Sequence, residues 1–271
     1  MQPSDHTGAL SADSTMQHFA AVRRVYGEQG YERLRSAHIC VVGIGGVGSW
    51  VAEALARSGV GTLTLIDHDD IAATNINRQV HADTTTLAQS KVEVMASRIA
   101  AINPGCRCIA IDDMLVTKNM DKYIDCRFDY VVDAIDAVTF KASLIVHCKR
   151  NKISIITIGG AGGRSEPGKI DIADLNKTWN DTLASSVRKR LRQKYGWSRN
   201  PSRRYGVECV FSKQQPMYPQ ADGTVAQKKP GIAGVTLDCD TGYGSLVGVT
   251  AVFGFVAASR VMNKLVNTQS D

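Results

Sequence analysis

Val41-Val42-Gly43-Ile44-Gly45-Gly46-Val47-Gly48-Ser49 decides the fold. It ends an apolar, β-rich run that opens at His38, "HICVVGI". The following "VGSWVAEALARSG" has apolar residues at helical spacing and a glycine stop at Gly59, and "GTLTLID" is a second strand closing on Asp67. Strand, glycine loop, helix and strand form the first βαβ unit of a doubly wound sheet. Gly43 permits the tight turn, Gly45 lets the backbone approach a phosphate, and Gly48 lets helix and strand pack closely. The helix then offers its unpaired N–H groups to the anion. Asp67 is placed to take ribose hydroxyls. On these features alone an NAD-dependent oxidoreductase is the default.

Downstream, the alternation continues. A helix is expected over about residues 87–102, where Val92, Met95, Ile99 and Ile102 share a face and "NPG" ends it. "CRCIAI", "YVVDAI" and "KISIITI" read as strands and "TFKASLIVHCKRN" as a helix. The fold class is therefore α/β, with a mostly parallel, doubly wound sheet. The chain divides into a loose tail over 1–18, a nucleotide-binding core over 19–160, and an extension of the same domain over 161–271. In the extension, "DTLASSVRKRLRQKYG" is an amphipathic helix stopped at Gly196, and "VECVFS" is strand-like.

With 271 residues, 44% apolar and 21% charged, the chain is an ordinary globular protein. Its seven cysteines form no C-x-x-C pair, which argues against zinc and against a disulfide framework and fits a reducing, cytoplasmic setting. Residues 241–259 carry no charge, yet their four glycines and short apolar run favour a buried helix over a membrane association, because a span needs roughly 18 apolar residues.

Beyond Asp67 the chemistry changes. A dinucleotide needs few cations, since the helix end handles its pyrophosphate. A triphosphate that must release pyrophosphate needs fixed positive charge around the leaving group. Arg78 follows the second strand, Lys91 lies in the next helix, and Asp133 and Asp136 end a later strand at the carboxyl edge, where this fold binds ligands. Each taken singly reads as a surface ion pair or cap; in this order, on one edge, they read as a site.

The set resembles the ubiquitin-activating-type (ThiF/MoeB-like) adenylating enzymes, whose pattern is matched by Gly43-x-Gly45-Gly46-x-Gly48, Asp67-x-Asp69, Asn75-x-x-Arg78-Gln79, Lys91 and Asp133-x-x-Asp136. The resemblance implies ATP with Mg²⁺: Asp67 on the ribose, Asn75 and Arg78 on the phosphates, Lys91 on the phosphates and developing charge, and Asp136 on the metal. It implies a homodimer in which Arg24 of "VRRVYGEQG" is lent to the neighbouring site, although Arg23 is adjacent. "RNKISIITIGGAGG", "GVECVFSKQQPMYPQADGTV", "LDCDTGYGS" and "FGFVAAS" resemble the branch that dehydrates N6-threonylcarbamoyladenosine in tRNA, from about residue 19 to residue 265. That branch activates the nucleoside's carboxylate by adenylation and lets a neighbouring atom of the same group close a ring. No enzyme thiol is then required, so Cys209 and Cys239 are expected to be non-catalytic.

The charge pattern bears on the substrate. Net charge is +6, and residues 188–204 hold eight basic residues and no acid, with Tyr195, Trp197 and Tyr205 interleaved. Arg188, Lys189, Arg190, Arg192 and Lys194 are the expected contacts to the tRNA anticodon loop, against the alternative of a solvated helix face. Cysteine desulfurase or sulfur-acceptor proteins are candidate partners beside the tRNA. Two other readings stay open: an activator of a ubiquitin-like sulfur carrier, which would need a carrier with a glycine C-terminus and zinc, and a non-catalytic nucleotide-binding scaffold.

Overall fold

The computed structural model describes residues 17–220, 222–228 and 244–267. The chain enters through α1 (Ala20–Ser36), interrupted at Gly27, whose φ of 73° is not helical. It continues as β1 (His38–Val42), α2 (Gly48–Arg57), β2 (Thr62–Asp67), α3 (Lys91–Ile102), β3 (Arg107–Asp112) and the single turn α4 (Met120–Tyr123). The second half runs β4 (Tyr130–Asp133), α5 (Val138–Arg150), β5 (Ile155–Ile158), β6 (Ile170–Asp174), α6 (Thr182–Tyr195) and β7 (Glu208–Ser212). A small ribbon, β8 (Tyr218–Pro219) with β9 (Val225–Ala226), precedes α7 (Val247–Val266).

Seven strands form one sheet in the order β3-β2-β1-β4-β5-β7-β6, parallel except for the β6–β7 pair. The order reverses direction between β1 and β4, and the carboxyl ends of the strands open into a crevice there. Period-2 alternation divides β1 between two cores. Ile39 and Val41 join Val51 and Leu55 of α2, Met95 and Ile99 of α3, and Phe253 and Val261 of α7 on one face. Cys40 and Val42 join Leu144 and Ile145 of α5 and Val187 and Leu191 of α6 on the other.

Two expectations change. The third helix starts at Lys91 rather than near residue 87, because Ala88 takes a φ of 60° that a continuous helix excludes. "IDIAD" is a strand the sequence did not reveal; it is half-exposed at the sheet edge, so its alternation of Asp and Ile lacks a strongly apolar face. With β7 it carries the region beyond residue 160 into the same sheet as the nucleotide half. The apolar C-terminal segment becomes α7, the one helix among the described residues long and apolar enough to cross a membrane, with half of that window buried. It packs on α2 so closely that a Cβ at Gly254 would lie 2.7 Å from Trp50 Cβ and 2.9 Å from the Val47 carbonyl. The N-terminal tail over 1–16 and Cys239 lie outside the described residues.

Candidate functional site

A cavity of about 840 Å³ runs along the carboxyl edge, under the glycine loop and across the switch point. Gly43 has a φ of 88° and turns against Ala134, whose carbonyl would lie 2.9 Å from an added Cβ. Gly48 is tighter: its Cβ would come within 1.7 Å of the Gly43 carbonyl. Both positions exclude a side chain, and this brings the first turn of α2 onto the end of β1 with its N–H groups toward the cavity. Gly45 and Gly46 form the floor, with the Arg78 side chain lying 3.2 Å from where a Gly46 Cβ would be.

The polar residues converge on this floor. The Asp67 carboxylate accepts from Ile44 N at 2.5 Å and Asp69 N at 3.0 Å, so it locks the glycine loop to the end of β2 while lining the cavity. Lys91 is 5% exposed, and its Nζ donates to Asp69 at 2.7 Å, a pairing that leaves the carboxylate half in solvent. Arg78 is buried; its guanidinium donates to the Thr74 carbonyl at 2.6 Å and to Asn77 Oδ1 at 3.1 Å. Asn75 holds this short turn by accepting from Ala72 N, while its own carbonyl takes the N–H groups of Arg78 and Gln79. Gln79 lines the cavity with its Oε1 buried and unpartnered among the described residues. Asp136 sits exposed on the opposite wall. For a metal, Asp136 and the two carboxylates of the Asp67–His68–Asp69 group, whose ligand atoms lie within 4.8 Å of one another, are the hard oxygen donors that could hold Mg²⁺.

Asp133 is not part of this surface. It is 0% exposed, and its carboxylate accepts from Thr157 Oγ1 at 2.6 Å and lies 3.1 Å from Lys141 Nζ. Burial pushes its pKa up, against the ammonium and hydroxyl that hold it. Lys141, itself 1% exposed, also donates to the carbonyls of Asp133 and Ile135. The pair therefore sets the loop that presents Asp136. The lysine escaped sequence reasoning because "TFKAS" reads as a surface helix start; only the packing of α5 on the sheet buries it. Arg164 also escaped notice, and it lines the far end of the cavity although nothing in "GGRSE" marks it. Met114 and Leu115, just past β3, supply apolar surface at the other end.

The basic segment divides in two. The Arg188 guanidinium donates to the Leu175 carbonyl and to Thr178 Oγ1, and Arg192 donates to Tyr205 Oη at 2.9 Å and Asn176 Oδ1 at 2.8 Å. Both are committed to pinning α6 against the segment after β6, a correction to their expected role on RNA. Tyr205 is 9% exposed with Trp197 edge-on at 4.7 Å, and Tyr195 shares a hydrogen bond with Ser143, so these aromatics seal the core instead of standing free to stack on bases. Lys189, Lys194, Arg199, Arg203 and Arg204 are exposed; Arg190 is half-buried.

At the N-terminus Arg23 is spent on Glu28, at 3.0 Å from Nε, and lies over the Tyr31 ring. Arg24 is exposed on α1, outside its own chain's cavity, and engages no carboxylate among the described residues. Cys209 is 0% exposed in β7, and burial pushes its thiol far above the ordinary range; Cys148 is pushed up to about 12 for the same reason. Neither offers a thiolate.

Comparison with known proteins agrees with this geometry. A model of the ThiF family matches residues 18–271. A curated relative, the tRNA threonylcarbamoyladenosine dehydratase of Haemophilus influenzae, is 50% identical over 258 residues, which cover 95% of this chain and 97% of the relative. Solved structures of the E. coli tRNA N6-threonylcarbamoyladenosine dehydratase are similar throughout. The complex with ATP has a TM-score of 0.83 at 44% identity, covering 95% of this chain and 97% of the other. The complex with AMP has a TM-score of 0.83 at 43% identity, covering 95% and 98%.

Proposed function

Since the chain belongs to the ThiF family, we propose that it uses its cavity to join a carboxylate to AMP, and that the carboxylate is that of N6-threonylcarbamoyladenosine in tRNA. It is an ATP-dependent enzyme that dehydrates this nucleoside. The convergence of Arg78 and Lys91 on a glycine loop carries the reading, since two nearly buried cations are more than a dinucleotide requires.

A carboxylate oxygen attacks the α-phosphorus of ATP, the α–β P–O bond breaks, and its electron pair leaves with pyrophosphate. Arg78 and Lys91 neutralise that leaving charge, and Lys91 exchanges Asp69 for phosphate oxygens. The N–H groups of α2 hold the remaining phosphate. Asp67 takes the ribose, Asn75 and Gln79 shape the floor, and Met114 and Leu115 cover the base. Bound Mg²⁺ would neutralise the triphosphate, with Asp136 holding it. In the second step a nucleophilic atom of the same carbamoyl-threonine group attacks the acyl carbon, the C–O bond to AMP breaks, and an N–H proton is released. One oxygen of the acid leaves on AMP, so the nucleoside loses the elements of water. No thiol participates and no zinc is called for. The enzyme acts where its tRNA is, in the cytoplasm.

The test is to incubate tRNA carrying threonylcarbamoyladenosine with the protein, ATP and Mg²⁺, then digest it and weigh the nucleosides. The modified nucleoside should lose the mass of one water with stoichiometric release of AMP and pyrophosphate. AMP release on a carrier protein's C-terminal carboxylate, and none on tRNA, would refute the assignment.

The proposed assembly is a homodimer in which Arg24 reaches the partner's site. Mixing Arg24→Ala chains, which keep Asp136, with Asp136→Ala chains, which keep Arg24, should regain up to about a quarter of parental turnover, because hybrid dimers contain one intact composite site. Full activity in a strict monomer would exclude this arrangement.

A further inference from the structure

Between β4 and α5 the chain reaches Asp136 through two residues, and each is tied down. Ala134 N donates to the Val42 carbonyl at 2.9 Å, and the Ala134 carbonyl packs under Gly43, where no Cβ fits. Ile135 N donates to Asp133 Oδ1 at 3.2 Å, and the Ile135 carbonyl accepts from Lys141 Nζ at 2.9 Å. Asp136 follows as the first exposed residue after β4, on the cavity wall.

Lys141 is the hub of these bonds. An ammonium has three donors. Those of Lys141 meet the Asp133 carbonyl at 3.0 Å, the Ile135 carbonyl at 2.9 Å and the Asp133 carboxylate at 3.1 Å. From the neighbouring strand β5, Thr157 Oγ1 donates to the same carboxylate at 2.6 Å. The first turn of α5 is fixed as well, since Lys141 N donates to the Ala137 carbonyl at 3.0 Å. Lys141, Asp133 and Thr157 are all buried, and none of them lines the cavity. Taking two charges out of water is expensive, and a well-packed apolar pair in their place is often as stable. An apolar pair, however, would free the carbonyls of Asp133 and Ile135 beside a cavity that must hold a triphosphate. The ammonium draws both toward itself, so the value of the pair lies in what it aims.

Building on the reading of Asp136 as the holder of Mg²⁺, we propose that Lys141 is a positioning residue for that metal. It fixes the segment over 133–136 so that the Asp136 carboxylate meets the metal on the triphosphate. It thereby sets the Mg²⁺ requirement of ATP binding while touching neither ATP nor metal. The first aspartate of the D-x-x-D pattern is then the counter-charge of the lysine, and the second is the ligand. Partners that orient a metal ligand from behind typically change metal affinity by about tenfold to a hundredfold when lost.

The test titrates Mg²⁺ against the full chain at fixed ATP by calorimetry, with metal-free AMP as the control ligand. Lys141→Met alone strands a buried carboxylate. It is therefore accompanied by the neutral pair Asp133→Asn/Lys141→Met, which removes both charges and with them the cost of an unpaired ion. In each folded variant the Mg²⁺ concentration that half-saturates ATP binding should rise about tenfold or more, whereas AMP affinity should stay within about twofold of the parent's. Asp136→Ala should raise the same requirement. Adding the neutral pair to Asp136→Ala should raise it no further, because the pair acts through that carboxylate. An unchanged Mg²⁺ requirement in the neutral pair would overturn the assignment. So would an equal loss of AMP affinity, or effects that multiply when the neutral pair and Asp136→Ala are combined, since each would mean damage that does not pass through Asp136. An Asp136→Ala protein with the parent's Mg²⁺ requirement would refute the reading of Asp136 as metal holder, an outcome read in that single variant and distinct from a neutral pair that behaves like the parent.

Discussion

At the scale of single residues, His81 carries a cost that pH exposes. It is 3% exposed, and neither ring nitrogen has a hydrogen-bond partner among the described residues. Burial first, then the positive charges of Lys91 and Arg98, lower its pKa from 6.5 to about 4. The ring is neutral in the fold and takes a proton more readily when unfolded, so the stability it permits is complete above pH 6.5 and is lost as pH falls toward about 4. Within that window the loss approaches about 1.4 kcal/mol per pH unit. Urea unfolding of parent and His81→Leu at pH 7 and pH 5 should show a shallower decline in the variant; parallel declines would mean that the ring is already protonated in the fold. Residues differ in how far sequence betrays them. Gly43, Gly48 and Asp67 are legible because their roles lie within one βαβ unit. The pairing of Lys141 with Asp133, and the diversion of Arg188 and Arg192 into the fold, are not, because both depend on which elements meet after folding. Asp133 shared a motif with Asp136, and side-chain direction at the end of β4 separated them.

Among the elements, the β1–α2 turn is the least tolerant. Gly48→Ala would drive a methyl into the Gly43 carbonyl, 1.7 Å away, so α2 must back off from β1 and take its N–H groups out of reach of phosphate. The expected result is a loss of ATP affinity of at least about tenfold together with destabilisation of roughly 1–3 kcal/mol from overpacking. Calorimetry and urea denaturation check the two parts; intact affinity would show that the loop can be rebuilt without its close approach. The long buried strands and amphipathic helices were legible from periodicity alone, whereas β6 was not, since an edge strand with one solvated face carries little apolar signal. The break at Ala88 was equally hidden, as alanine gives no warning of a left-handed backbone.

For the molecule as a whole, charge matters by location more than by sum. Two of the eight basic residues between 188 and 204 serve the fold, so the exposed ones set the electrostatic footprint. Replacing Lys189, Lys194 and Arg199 by alanine should lower the slope of log affinity for tRNA against log salt by up to about three, less whatever contacts are peripheral, with ATP affinity unchanged. A slope equal to the parent's would place the RNA on another face. The course of α6 has a further consequence. Its first turn, at Thr182 and Leu183, walls the cavity, and its last, at Tyr195, ends beside the residues that lead into β7 at the opposite edge of the sheet. Fourteen residues at about 1.5 Å each make a rigid rod of roughly 21 Å. It works as a ruler: with one end fixed at the reacting nucleoside, the cations at the other end can touch only a backbone that extends that far. Shortening the stem of an RNA substrate below this reach would then weaken its grip while the chemistry at the loop proceeds undisturbed.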